Sequence, residues 1–418
     1  MRVLMLSWEY PPVLVGGLGR HVHALAGELA AAGHEVVVLS RQATGTDANT
    51  HPTCDERDPD APGVRVLRAA EDPLHLEFEC DLIAWTLAMG HGMLRAALLH
   101  LGGWRPDVIH AHDWLVAHPA ITLADMLDVP LVATLHATEA GRHAGWLSAP
   151  LNRQVHSVEW WLAQRADSVI TCSRSMRDEV ACLFELDADS VAVVHNGITA
   201  RGWRVRRAGV TAARDRYAPG GAPLLLYAGR LEYEKGIQDL LAALPRIRRR
   251  HPGTRLVVAG QGTQREFLLD EARRHRVRRA ATFAGHLPDA ELAALLAATD
   301  AVVLPSRYEP FGIVALEAAA AGAPLIASTA GGLGEVVLDG ITGVSFTPGD
   351  VAGLAAAVGT VLDDPAAAAR RARAARVRLG SEFDWAAVAA RTAAIYARAP
   401  AGGPVELGRP KIPTGKTL

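Results

Sequence analysis

Arg230-Leu231-Glu232-Tyr233-Glu234-Lys235-Gly236 places two cations directly after an apolar run, at a strand end and a helix start. Cations in that position can neutralise a departing diphosphate without a metal ion. The same residues also suit a surface loop with Arg–Glu pairing. Further along, Glu309-Pro310-Phe311-Gly312-Ile313-Val314-Ala315-Leu316-Glu317 sets two glutamates about two helical turns apart, so both carboxylates can address one side at different heights. Glu309 stands in a Pro/Gly turn. Glu317 stands inside an apolar helix, where a carboxylate is costly without a polar partner, and this favours a ligand role.

Gly16-Gly17-Leu18-Gly19 enters the first predicted helix. Successive glycines let amides approach an anion, and a helix N-terminus favours negative charge; a plain loop-to-helix turn has the same composition. A dinucleotide fingerprint fits poorly, because Val22 stands at the third glycine and the motif begins about ten residues beyond the strand. Gly331-Gly332-Leu333-Gly334-Glu335 repeats the pattern at a second such junction. His110-Ala111-His112-Asp113-Trp114 and Thr134-Leu135-His136 end two strands. His110 and His112 alternate along a strand and could share a face, as two ligands of a metal site would. With only two well-spaced ligands and no cysteine or paired carboxylate nearby, the expectation is core or substrate-contacting histidines and no metal. His136 is the better ligand candidate.

These residues need a scaffold of alternating strands and helices. An apolar run at Val3–Leu6, a Pro/Gly loop, a helix over about Leu18–Ala32 and a strand at Glu35–Leu39 make a βαβ unit. Apolar strands recur at Val64–Leu67, Asp107–His110, Pro130–Leu135, Val169–Thr171 and Val191–Val194. The polar, Pro-rich stretch 44–62 reads as a surface excursion. Between Asn196 and Pro223 the pattern lapses into Gly, Pro and Arg, as a linker would. A second series follows at Leu224–Tyr227, Leu256–Val258, Thr282–Ala284, Ala301–Leu304, Pro324–Ala327 and Gly343–Phe346. The fold class expected is α/β, with two doubly wound, Rossmann-like domains facing a cleft. Their bounds are 1–200 and 201–382, with a crossover helix at about 383–398 and a disordered tail at 401–418.

Composition agrees. The chain has 418 residues, long enough for two domains, and half of them are hydrophobic. A net charge of -2 argues against nucleic acid as a partner. The arginine-dense stretches 246–250, 273–279 and 370–378 fall on predicted helices and read as solvated faces. The four cysteines form no CxxC pair, as in a reducing compartment. No signal peptide or membrane span is expected, which makes the protein cytoplasmic. A homodimer is compatible with the sequence.

Taken together, the motifs resemble glycosyltransferase family 4 of the GT-B fold, over roughly residues 1–398. The spaced glutamate pair is the most discriminating of them. With Ser7-Trp8-Glu9-Tyr10-Pro11-Pro12 and Leu135 to His143, the pattern is similar to the glycogen-synthase-like, actinobacterial α-1,4-glucosyltransferases of glycogen and methylglucose lipopolysaccharide synthesis. The resemblance implies a retaining hexosyltransferase that needs no metal or other cofactor. Its donor would be ADP-glucose or UDP-glucose, and its acceptor an α-glucan or oligosaccharide. It implies that Arg230 and Lys235 stabilise the leaving diphosphate, Glu309 contacts the transferred glucose, and His136 sits near its 6-hydroxyl. Glu317 would bind the donor ribose. Gly16, Gly17 and the amides of Gly331, Gly332 and Leu333 would bind phosphate or sugar oxygens. Arg20, His112, Asp113, Glu139 and Arg142 would line the acceptor side. The last helix would cross back to the N-terminal domain.

The sequence departs from many bacterial glycogen synthases at Leu14 and Arg20, where those enzymes have lysine and aspartate. This bears on acceptor and donor base rather than on transfer. Other readings are a family 4 enzyme for mannose, N-acetylglucosamine or a phosphosugar acceptor, a tandem-Rossmann oxidoreductase, and a noncatalytic glucan binder. Val22 and Ser40-Arg41 disfavour the oxidoreductase. The joint presence of Arg230, Lys235 and Glu309 disfavours the noncatalytic binder.

Overall fold

The computed structural model describes residues 1–43, 52–70 and 75–399. The chain divides into two compact units, residues 1–197 together with the chain from Trp385 onward, and Ile198–Asp384. The expected disordered tail lies outside the described residues.

In the first unit the strands are β1 (Arg2–Leu6), β2 (Glu35–Arg41), β3 (Cys54–Arg57), β4 (Val64–Ala69), β5 (Val108–His112), β6 (Leu131–Leu135), β7 (Ser168–Thr171) and β8 (Val191–Val193). They lie in the order β3-β4-β2-β1-β5-β6-β7-β8, and every pairing is parallel except β3 with β4. The chain winds from β1 to one edge, then returns to β5 on the other side of β1 and winds to the opposite edge. That reversal sets the carboxyl ends of β1 and β5 side by side, the place where doubly wound sheets bind ligands. The strands are aliphatic because helices cover both faces. Val3, Met5, Val36, Val38, Val108 and Val132 pack beneath Val22, Leu25 and Leu29 of the helix Gly17–Ala31. Each such buried side chain contributes roughly 1.5–3 kcal/mol.

The final helix, Trp385–Tyr396, packs on the helix Gly17–Ala31, with Val388, Ala389 and Tyr396 in the core of the first unit. Although no membrane span is expected from the sequence, helix Leu82–His100 is long and apolar enough to cross a membrane by length and composition. It packs against β4 and the helix Ala117–Leu127.

Two expectations are corrected. The stretch 44–62, expected as an excursion, contains the edge strand β3, held across the pair by Arg65–Asp55 and Arg68–Glu56. The expected linker 196–223 carries a helix, Arg207–Tyr217, belonging to the second unit. It has no buried residue; Arg214 anchors it through the carbonyls of Ala222 and Ala298 and the carboxylate of Asp300.

The second unit has β9 (Leu224–Ala228), β10 (Arg255–Ala259), β11 (Ala281–Gly285), β12 (Ala301–Leu304), β13 (Leu325–Ser328) and β14 (Val344–Phe346). Their order is β11-β10-β9-β12-β13-β14, parallel throughout, with winding reversed between β9 and β12. Leu225, Leu256, Val258, Val303 and Ile326 meet Leu240, Leu244 and Val358 from the covering helices.

Candidate active site

In the second unit the loops after β9 and β12 meet at the reversal. Lys235 donates from Nζ to Glu309 Oε2 at 3.1 Å, and Ser306 Oγ donates to the same oxygen at 3.2 Å. Both members of the ion pair are largely buried, with side-chain exposures of 12% and 20%. Arg230 pairs more loosely with Glu234 at 3.2 Å, and its side chain is about half exposed, at 53%. The amides of Arg307 and Tyr308 donate to the carbonyl of Glu234, and Arg307 forks onto Asp239 at 2.7 and 2.9 Å. Gly236 ends the first loop at φ 68°, and a Cβ there would lie 1.9 Å from the Pro305 carbonyl oxygen. Only glycine permits this approach, which fixes Lys235 against the end of β12.

Glu317 is buried in the helix Ile313–Ala321, whose other buried members are alanine and leucine. The amides expected to bind oxygens are partly engaged within the loop. The N–H of Gly332 donates to the Glu309 carbonyl and that of Leu333 to the Ala330 carbonyl. These two bonds close the turn beside Glu309. Tyr227, unnoticed in the sequence, donates its hydroxyl to the Arg230 carbonyl at 2.7 Å and so orients the cationic loop. Burial holds its pKa well above the ordinary phenol range.

In the first unit, Gly16 caps the helix Gly17–Ala31. The amides of Val15 and Gly16 both donate to Glu9 Oε2 at 2.8 Å. The Gly16 amide thus meets the protein's own carboxylate in this structure. Close packing explains Gly19, where a Cβ would stand 3.1 Å from Glu9 Cβ and 2.6 Å from Leu14 Cδ2. Arg20 lies on the exposed side of the same helix.

The histidines divide by role. His110 is a core residue, with Nδ1 bonded to the Tyr396 hydroxyl and Nε2 to Thr134 Oγ1, each at 2.7 Å. His112, at the end of β5, meets His136, just past β6, through Nδ1 and Nε2 at 3.2 Å. His21, one turn into the helix Gly17–Ala31, joins them, its ring 4.7 Å from that of His136. Burial pushes His136 down to about 4 and His21 and His112 well below the usual range, so all three are neutral near pH 7. Neutral imidazoles can donate to or accept from a hydroxyl. His21 went unnoticed because its neighbours in the chain read as a helix face.

Asp113 holds this arrangement. It sits at φ 64°, ψ 172°, a region most side chains avoid, and its Oδ1 accepts from the His136 N–H at 2.7 Å. Burial raises its pKa to about 6, opposed by the His136 amide and by Arg142. Behind it, buried Glu159 accepts the Glu139 N–H through both oxygens, and Arg142 approaches Glu139 at 3.9 Å. Burial holds Glu159 well above the carboxylate range. Of the residues expected on the acceptor side, His112, Asp113, Glu139 and Arg142 thus form one network with His136.

A raised carboxyl pKa favours the folded state while the proton is on. Asp113 therefore adds stability fully present below about pH 4, lost as pH rises to about 6, and absent above. A rise to about 6 corresponds to about 3 kcal/mol. Asp113→Asn keeps an acceptor for the His136 amide. The wild-type-minus-variant difference in unfolding free energy should fall by about that amount between pH 4 and 6; a flat difference would refute the assignment.

Residues 15–201 match the family model "Glycosyltransferase Family 4", and residues 211–378 match "Glycosyl transferases group 1". The chain is 61% identical over 407 residues to the glycogen synthase of Mycobacterium tuberculosis, covering 96% of each. It is 32% identical to the α-maltose-1-phosphate synthase of the same organism, covering 95% of this chain and 99% of that one. Among solved structures, the sucrose-phosphate synthase of Thermosynechococcus elongatus superposes with a TM-score of 0.80 at 26% identity, covering 95% of this chain and 98% of that one.

Proposed function

Because the chain belongs to family 4 of the glycosyltransferases and shares their GT-B fold, we propose that it moves glucose from ADP-glucose or UDP-glucose to the non-reducing end of an α-1,4-glucan, retaining the anomeric configuration. The observation that carries the glucan reading is the 61% identity to a glycogen synthase across nearly the whole of both chains.

The chemistry follows from charge. Cleaving the C1–oxygen bond leaves positive charge on the sugar ring and negative charge on the departing diphosphate. Lys235 and Arg230 supply the compensating cations. Lys235 is already held in place by Glu309 and Ser306, so little reorganisation accompanies the step. A metal ion is not needed for that charge. The acceptor hydroxyl attacks C1 from the face the phosphate leaves, and its proton passes to the departing phosphate oxygen. No carboxylate need become covalently attached, unlike in retaining hydrolases. His136 serves the transferred sugar's hydroxyl as a neutral imidazole, Glu317 binds the donor ribose, and Gly17 and Gly331 offer amides. No disulfide joins the four cysteines, which supports a cytoplasmic setting.

A second reading, a phosphosugar acceptor, draws on the 32% identity to α-maltose-1-phosphate synthase. One experiment separates the two. With EDTA present throughout, labelled ADP-, UDP- and GDP-sugars are crossed with glycogen, maltooligosaccharides and glucose 1-phosphate. Incorporation from a nucleotide-glucose into glycogen and maltooligosaccharides supports the first reading. Incorporation into glucose 1-phosphate alone selects the second, and dependence on added Mg2+ would overturn the metal-free mechanism.

A further inference from the structure

His21, His112 and His136 reach one point of the first unit from a helix, a strand end and a loop. One ring nitrogen from each lies within 4.8 Å of one from each of the others. Their ring centroids close a triangle with sides of 4.7, 5.5 and 5.6 Å. The 3.2 Å between His112 Nδ1 and His136 Nε2 is close to the roughly 3.3 Å edge of a tetrahedron built on metal–nitrogen bonds of about 2.0–2.1 Å. The third nitrogen lies within 4.8 Å of both, within the reach of side-chain rotation.

A second observation points to a ligand. His21 Nδ1 is buried and has no hydrogen-bond partner among the described residues; His112 faces His136 through Nδ1, and its unpartnered nitrogen is the other one, Nε2, so the His21 atom is the one that bears on the site. His21 and His112 are 5% and 0% exposed. Unsatisfied buried ring nitrogens are unfavourable, and a positively charged ligand is one remedy. His110 is not part of the set, since both its nitrogens are bonded. The other grouping of potential ligands, His23, Asp58 and Asp60, makes a poorer site. Asp58 already accepts from the Tyr10 hydroxyl and from the amides of Asp60 and Ala61, and pairs with His23.

We infer that His21, His112 and His136 form a three-histidine site for a divalent transition cation of the Zn2+ type. Three imidazole nitrogens and no thiolate suit Zn2+, Co2+ or Ni2+ rather than Mg2+ or Ca2+, which take oxygen ligands. His136 is the partly exposed member, so the cation enters from its side and keeps a solvent ligand there. If His136 also serves the sugar, as proposed above, an occupied site blocks transfer and the metal acts as a reversible inhibitor. That consequence rests on the proposed function; the site itself does not.

The test adds Co2+ and, separately, Zn2+ to the metal-free full-length protein at pH 7.5. One equivalent of Co2+ should bind with visible bands of four- or five-coordinate geometry, be displaced by Zn2+, and show three imidazoles by X-ray absorption. His21→Gln and His112→Gln should each weaken binding at least about 30-fold, as loss of one ligand in three implies. Fewer than three imidazoles in the wild type would overturn the site, even if a variant folds poorly. So would no binding at 100 micromolar, on the order of a weak protein–metal affinity, or unchanged affinity in both variants when circular dichroism shows them folded. In the transfer assay, Zn2+ inhibition reversed by EDTA is the expected result. Tight binding without inhibition would leave the metal site standing and remove His136 from the transferase assignment.

Discussion

Lys235→Ala is expected to lower turnover about a thousandfold, roughly 4 kcal/mol of transition-state stabilisation, with a much smaller change in donor KM. The reason is geometric. Lys235 is the largely buried cation of the site, and its ammonium is bonded to Glu309 within a loop stitched to the end of β12. Arg230, half exposed and loosely paired, has more freedom and a smaller expected share. The variant keeps its fold, since Ser306 still donates to the Glu309 carboxylate. Single-turnover rates with nucleotide-glucose measure the effect, and a loss under tenfold would show that the diphosphate charge is met elsewhere.

Gly236→Ala should strongly destabilise the second unit. The added Cβ would stand 1.9 Å from the Pro305 carbonyl oxygen, on a backbone at φ 68° that side chains rarely adopt. The strained backbone alone costs about 1–2 kcal/mol, and the clash forces the loop off β12. Gly340→Ala is the matched control, with φ 71° and nothing within 4 Å of its Cβ position. Thermal unfolding should drop by about 5–10 °C for Gly236→Ala and by about half that or less for Gly340→Ala. Activity should fall with the former, because Lys235 is the preceding residue. Equal shifts in the two variants would mean that the contact with Pro305 contributes nothing.

Much of the α/β architecture was legible because its strands are nearly unbroken aliphatic runs, which parallel sheets covered on both faces require. β3 was not legible. Cys54–Arg57 is polar, and its pairing is secured by ion pairs to Arg65 and Arg68 on its neighbour. The helix Arg207–Tyr217 was hidden for a related reason: none of its residues is fully buried, and its half-buried face, with Val210, Ala213 and Tyr217, is only weakly apolar. At the site, the strand-end positions of Arg230, Lys235 and His136 could be read, since strand ends carry ligands in doubly wound folds. The pairing of Lys235 with Glu309 could not, because the two lie in loops after different strands and meet only through sheet topology. Glu9, Tyr227 and His21 escaped for the same reason. Each acts through a contact fixed by tertiary packing, not by spacing along the chain.

The most direct measurement of the central claim is the linkage formed when the enzyme extends a maltooligosaccharide from ADP-glucose or UDP-glucose, read by proton NMR of the new anomeric centre. An added α-1,4-linked glucose at the non-reducing end is the predicted product. A β-linked product, or extension by a sugar other than glucose, would contradict it.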